Sequence, residues 1–86
     1  MNELEQLRKK VDSIDDQILE ALGRRAEICK AIGKVKRSEN IPIRDNARET
    51  EVYSRVKAKA AKLGLDVEQI EVVYREIVNI CSAVQE

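Results

Sequence analysis

The amino-acid sequence predicts an all-α fold, a three-helix chain with one long N-terminal helix that forms an intertwined helical homodimer. Apolar residues recur at alternating spacings of three and four, which is the period of a helix packing along one stripe. The 86 residues include three glycines and one proline, and 43% are hydrophobic and 37% charged. This balance is typical of a folded helical protein rather than a disordered one. We expect a single domain over residues 1–86.

The first helix is expected to run from about Glu3 to Arg37. At about 1.5 Å per residue it would be some 50 Å long, too long for a compact monomer of this size. Gly23 is its only early weak point. Its apolar stripe is formed by Leu4, Leu7, Val11, Ile14, Ile18, Ala21, Ile28, Ile32 and Val35.

The second helix is expected to begin near Asp45 or Asn46, because Pro42 disfavours helix in the residue before it. Asn46, with Glu49 three residues later, has the pattern of a capping box. Gly64 stands where a C-terminal cap belongs.

The third helix is expected to follow Asp66, which forms a second capping-box pattern with Gln69. Helix lengths of about 35, 18 and 20 residues result, at roughly 3.6 residues per turn. Two short helices cannot cover both ends of the long one, so we expect two chains to intertwine with their long helices in contact. The apolar stripe of the third helix comprises Val67, Ile70, Tyr74, Ile77, Cys81 and Val84.

Charge and composition exclude several classes of function. Sixteen basic and sixteen acidic residues give no net charge, and with two tyrosines and no tryptophan or phenylalanine the chain is a poor candidate for binding nucleic acid. No apolar stretch is long enough for a membrane span, and the N-terminus lacks signal-peptide features, so a cytoplasmic location is expected. With no histidine, the usual zinc ligand sets and His-dependent nucleophiles are excluded, and we expect no bound metal.

The two cysteines, Cys29 and Cys81, both lie on predicted apolar faces and are far apart in sequence. There is no Cys-x-x-Cys motif. We expect them to be buried reduced thiols that act as small hydrophobic residues.

Arg25 interrupts the apolar stripe of the first helix, and Lys36 returns to nearly the same face about three turns later. Cations on an apolar face need an anion, either a protein carboxylate or a bound ligand. Arg8 points about 100° away, so it would share a pocket with Arg25 only from the partner chain of a dimer. The alternative is that these cations flank the stripe, their stems covering apolar surface and their heads in water.

Two further positions carry polar groups that helix capping alone does not explain. Arg48 lies in the first turn of the second helix, where the macrodipole disfavours a cation, although backbone N–H groups there are free to bind a ligand. Gln85 shares a face with Cys81 and is a possible neutral donor, although so close to the end of the sequence it is expected to fray.

Together these features resemble the all-helical class of chorismate mutase over essentially the whole chain. The resemblance implies an interlocked dimer that converts chorismate to prephenate, for phenylalanine and tyrosine synthesis, by a Claisen rearrangement without cofactor. The segments that carry it are Leu7-Arg8-x-x-Val11-Asp12-x-Ile14-Asp15, Arg24-Arg25, Gly33-Lys34-x-Lys36, Pro42-Ile43-Arg44-Asp45-x-x-Arg48-Glu49 and Gln85.

The resemblance also implies roles for individual residues. Arg25, and Arg8 from the partner chain, match the arginines that clamp the two substrate carboxylates. Lys36 and Gln85 match the donors to the ether oxygen.

For the ring hydroxyl, the resemblance implies Glu49 as the acceptor, helped by backbone at Asp45, with Arg48 organising the charged site. Cys81 stands where many relatives carry a small hydroxyl or amide residue, so one supporting contact is expected to be weaker. Ser82 is expected to point away from the site.

Two other functions stay open. Isochorismate-pyruvate lyases resemble this family and would use similar cations, although the loop before the second helix favours the mutase. A non-catalytic helical dimerisation or regulatory module would keep the stripes and caps but has no need of Arg25 and Lys36 on an apolar face.

Overall fold

A computed structural model describes residues 2–86 as three α-helices. They are α1 (Glu3–Ser38), α2 (Asn46–Lys62) and α3 (Val67–Gln85), of 36, 17 and 19 residues. The described residues include no strand. The predicted three-helix order and the long first helix are confirmed, and Gly23 does not interrupt α1.

Each helix begins at a side-chain cap. The Asn2 side chain accepts from the Glu5 N–H at 2.8 Å, and the Asp66 side chain accepts from the Gln69 N–H at 2.9 Å. Asp66 is therefore the cap that the sequence predicts.

The cap of α2 differs from the predicted one. Asp45, not Asn46, is the N-cap, and its Oδ1 accepts from the Arg48 N–H at 3.0 Å. Asn46 is the first residue inside the helix, so the predicted capping box with Glu49 is wrong. A carboxylate caps a helix as well as an amide does and also carries the charge that the macrodipole favours.

Left-handed residues lie in both connections. Gly64, with φ of +74°, follows α2 at the predicted position, and Asn40, with φ of 58°, follows α1. The Gly64 N–H donates to the Ala61 carbonyl and the Leu65 N–H to the Ala60 carbonyl, so carbonyl groups at the end of α2 are satisfied.

The third helix packs against both of the others, whereas α1 and α2 do not pack against each other. Val52 and Val56 of α2 form the core with Val78 of α3. The molecule measures 56 × 24 × 15 Å, and its radius of gyration is 16.2 Å. A compact chain of this length would have a radius of gyration of about 12 Å. The difference reflects the N-terminal half of α1, which extends away from the other helices.

That extended half of α1 exposes its apolar stripe. Five apolar side chains of the stripe are 49–59% exposed, namely Leu4, Leu7, Val11, Ile14 and Ile18. No described helix is long and apolar enough to cross a membrane.

The two cysteines form a disulfide, so the expectation of reduced thiols is wrong. Cys29 of α1 and Cys81 of α3 have Cα atoms 5.3 Å apart, within the range that a disulfide spans. The helical periodicity places each cysteine on an apolar face, and packing α3 on α1 brings those two faces together. The bond ties the C-terminal half of α1 to the last turns of α3.

Candidate functional site

The C-terminal half of α1, the start of α2 and the end of α3 surround a cavity of about 420 Å³. All the predicted site residues except Arg8 line it: Arg25, Lys36, Asp45, Arg48, Glu49, Cys81 and Gln85. The remaining wall is largely apolar. Its apolar members, most of which the sequence did not single out for the site, include Ile28, Ile32, Ile43, Val52 and Val78.

Arg25 is half-buried on the α1 wall of the cavity. Its Nη1 lies 3.9 Å from Cys29 Sγ, a weak acceptor, and among residues 2–86 no carboxylate forms a salt bridge with its guanidinium. The hydrogen-bonding capacity of this planar cation is therefore largely open toward the cavity, in a form suited to a carboxylate.

Lys36 lies near the end of α1 and faces the same cavity. Its Nζ donates to the backbone carbonyl of Ile43 at 2.5 Å. An ammonium group has three donors, so this bond fixes the position of Nζ and leaves two N–H groups for other acceptors. The same bond holds the loop between α1 and α2 against α1.

Asp45 and Arg48 lie at the N-terminus of α2. The Asp45 side chain is engaged in capping, which leaves its backbone as the part available to a ligand. Arg48 lines the cavity and takes part in no salt bridge within the described chain. The first turn of α2 thus brings an arginine to the cavity, whereas the N–H groups of Arg48 and Glu49 are already bonded to Asp45.

Glu49 is the carboxylate of the site whose position is fixed by a side-chain partner. Arg44 donates from Nη1 to Glu49 Oε2 at 3.1 Å and from Nη2 to Asn79 Oδ1 at 2.7 Å. Arg44 therefore links Glu49 to α3 and orients it. No role was predicted for Arg44, because Asn79, which completes this bridge, is distant in the chain.

Gln85 is buried, with 4% of its surface exposed. Its Nε2 donates to Cys81 Sγ at 3.1 Å, and within residues 2–86 its Oε1 has no partner. The sequence predicted a frayed terminus here, whereas the structure holds Gln85 inside α3 and against α1. Ser82, expected to point away, also lines the cavity, because the wall covers a wider arc of α3 than one stripe.

Arg8 lies on the exposed N-terminal half of α1 and does not line the cavity. It is about 25 Å from Arg25 along the helix axis, taking a rise of 1.5 Å per residue. One chain therefore does not bring Arg8 and Arg25 together, and their meeting between two chains stays a prediction.

A cluster of charged groups on α2 and α3 lies away from this cavity. Lys57 and Arg75 both bond Glu71, at 2.8 Å each, and the hydrogen bond from Lys57 is the first cause that lowers the pKa of Glu71. Arg75 also lies over the ring of Tyr53, 4.6 Å from its centroid. This cluster joins α2 to α3 and has the character of a structural contact.

Comparison with family models and with known proteins identifies the family of this chain. The family model described as chorismate mutase type II matches residues 7–86. The bifunctional chorismate mutase/prephenate dehydratase of Aquifex aeolicus is 35% identical over 88 residues, which cover 99% of this chain and 24% of the relative. The chorismate mutase of Methanocaldococcus jannaschii is 32% identical over 66 residues, 77% of this chain and 67% of the relative. This chain thus spans about a quarter of the Aquifex relative.

A solved structure has the same fold. The conserved hypothetical protein from Pyrococcus furiosus superposes with a TM-score of 0.82 at 36% sequence identity. The match covers 100% of this chain and 99% of that one.

Proposed function

Since this chain belongs to the chorismate mutase type II family, we propose that it converts chorismate to prephenate. The reaction is a [3,3] rearrangement within one molecule, so it needs no nucleophile and no proton transfer. It requires a compact substrate conformer and stabilisation of the charge that develops on the ether oxygen. One observation carries the proposal: Arg25, Lys36 and Arg48 converge on one largely apolar cavity without a carboxylate partner among residues 2–86.

Arg25 binds one substrate carboxylate through its guanidinium. Such a pair forms two parallel charge-assisted hydrogen bonds, which fix the orientation of the carboxylate as well as its position. The second carboxylate is bound by Arg8 of the partner subunit.

Lys36 and Gln85 donate to the ether oxygen as its bond to the ring breaks. The Ile43 carbonyl and the buried environment of Gln85 restrict these two donors before substrate arrives. Donors that are already oriented stabilise the transition state without reorganising, which is the largest contribution in many enzymes.

The ring hydroxyl is bound by Glu49, with the backbone at Asp45 as a second partner. The bridge from Glu49 through Arg44 to Asn79 supports this role, because it holds the carboxylate at the cavity wall. Arg48 organises the charge of the bound substrate. Cys81 contacts the substrate as well, and its sulfur, already bonded to Cys29, offers only a weak acceptor.

The working molecule in this proposal is an intertwined homodimer. Support comes from the exposed apolar stripe of α1, whose contiguous apolar surface is typical of an interface. Pairing the long helices would cover this stripe and carry Arg8 of each chain toward the cavity of the other. We also place the protein in the cytoplasm, in the synthesis of phenylalanine and tyrosine.

The test is turnover of chorismate by the purified chain. Loss of chorismate absorbance is followed, and prephenate is identified by its conversion to phenylpyruvate in acid. Arg25→Leu should lower kcat/KM at least about a hundredfold, because two charge-assisted hydrogen bonds of about 1.5–3 kcal/mol each are lost. Arg24→Leu, which removes an exposed charge from the adjacent position outside the cavity, is the matched control.

The outcomes separate the candidate functions. Full activity in Arg25→Leu would mean that the cavity is not the active site. Release of pyruvate from isochorismate, with chorismate untouched, would identify the lyase instead. A folded chain that acts on neither substrate, and becomes more stable when Arg25 is replaced by leucine, would be a helical dimerisation module.

A further inference from the structure

The last turn of α3 approaches α1 unusually closely at Gly33. A Cβ atom built on Gly33 would lie 2.8 Å from the Cα of Gln85 and 3.0 Å from its Cβ and carbonyl oxygen. Any side chain at position 33 would therefore collide with the α3 backbone. Glycine at this point lets the end of α3 lie directly on α1.

One turn further along α1, Arg37 holds the same residue by its backbone. Its Nη1 donates to the carbonyl oxygen of Gln85 at 2.5 Å. The last carbonyl groups of a helix have no partner within the helix, and a cation there also opposes the negative end of the macrodipole. Arg37 therefore caps α3 from another helix.

This contact matters because of where Gln85 stands in α3. It is the last residue of the helix, in the turn that frays most readily, yet its side chain is buried. Within residues 2–86 its carboxamide makes one hydrogen bond, from Nε2 to the weak acceptor Cys81 Sγ. Burial restricts the carboxamide, and the backbone of the last turn of α3 sets the point from which the side chain projects.

We infer that Arg37, together with Gly33, positions Gln85 by fixing the last turn of α3 against α1. Arg37 does not line the cavity, so it is a positioning residue and not a catalytic one. The inference rests on the proposed function, in which Gln85 donates to the ether oxygen. Arg37 then contributes to turnover only through Gln85.

The first test is a double-mutant cycle on steady-state kinetics. Arg37→Met keeps the aliphatic stem and removes the donor. It should lower kcat about tenfold with little change in KM, because a hydrogen bond to a charged group is lost while Arg25 still binds the substrate. In a Gln85→Ala background the same change should have no further effect. Arg37→Lys, which retains a charged donor, should recover part of kcat.

Lys34→Met is the matched control, since Lys34 is an exposed cation on α1 near Arg37 that lies outside the cavity. It should leave kcat unchanged. If Arg37→Met lowers kcat by the same factor with and without the Gln85 side chain, or not at all, Arg37 does not act through Gln85.

Amide hydrogen exchange tests the positioning without turnover. Exchange in the last turn of α3 should become at least about tenfold faster in Arg37→Met than in the parent chain, while the middle of α3 is unchanged. Faster exchange in Arg37→Met, together with a parent chain that does not turn over chorismate, would uphold the positioning and refute the proposed function. Unchanged exchange would refute the positioning, whatever the activity.

Discussion

Reducing the disulfide between Cys29 and Cys81 should destabilise the protein by an amount that follows from the length of the loop that the bond closes. The two cysteines are separated by 52 positions. In the chain-entropy description, a crosslink over a loop of this length removes about 14 cal/mol/K from the unfolded ensemble, or about 4 kcal/mol at 25 °C. Folded domains have free energies of unfolding of about 5–15 kcal/mol, so the disulfide contributes a large share of the stability.

The assay is urea unfolding of the oxidised chain and of the chain held in excess thiol reductant. Both samples need the same protein concentration, because association would make the unfolding midpoint depend on it. The reduced chain should lose about 4 kcal/mol in the free energy of unfolding. Cys29→Ser should unfold like the reduced chain and should not respond to reductant.

Two results would refute this reasoning. Free thiols at both cysteines after denaturation without reductant would show that the bond does not form in the purified protein. If the disulfide is verified and the oxidised and reduced chains have equal free energies of unfolding, α3 is held on α1 without the bond, by contacts such as those at Gly33 and Arg37.

Three other changes have definite expected outcomes. Gln85→Glu should shift the activity of the proposed enzyme toward acidic pH, because only the protonated acid donates, and a flat profile of kcat against pH would place Gln85 outside the site. Gly33→Ala should lower kcat and the melting temperature although alanine favours helices, because the new Cβ would lie 2.8 Å from the Cα of Gln85. A higher melting temperature with normal kcat would contradict the close approach of α3 to α1. Glu71→Gln should be most destabilising at neutral pH, because the Lys57 hydrogen bond lowers the pKa of Glu71 in the folded state. The stability that ionised Glu71 contributes is therefore present above its unfolded-state pKa and is lost as pH falls through its folded-state pKa. Chemical denaturation of parent and variant between pH 7 and pH 3 checks this. A difference in the free energy of unfolding that stays constant with pH would exclude the ion pair as the cause of the destabilisation.

The sequence predicts the helices well because their signals are local. The stripe of α1, the breaks around Pro42 and Gly64, and the cap at Asp66 each depend on residues within a few positions of one another. The misplaced cap of α2 has the same origin. Asp45 and Asn46 are both good caps, and which of them has the non-helical backbone is decided by how the loop runs from Lys36 and Ile43 into α2.

The sequence predicts only those site residues that stand out on the face of a single helix. Arg25 and Lys36 stand out because a cation on an apolar stripe is unusual, and α1 delivers both to the cavity. The disulfide, the bridge through Arg44 and the cap from Arg37 all join residues of different helices. Their partners are fixed by how α3 packs, which the spacing of residues along one helix does not specify.

The proposed sharing of Arg8 between chains can be tested by mixing two inactive variants. Arg8→Ala and Arg25→Ala chains are each expected to be inactive as homodimers. If the arginines come from opposite chains, a mixed dimer has one site that lost both and one site that retains both. Random exchange between equal amounts makes half of the dimers mixed, so the mixture should recover about a quarter of parental activity.

A site built within one chain gives a different result, because every site in the mixture would then lack one arginine. Recovery of about a quarter of parental activity after the variants are denatured and refolded together, with no recovery when they are only mixed, would place Arg8 across the interface. No recovery in refolded samples shown to contain mixed dimers would remove Arg8 from the partner's site. The exposed stripe of α1 would then be covered by a pairing that leaves Arg8 outside the cavity.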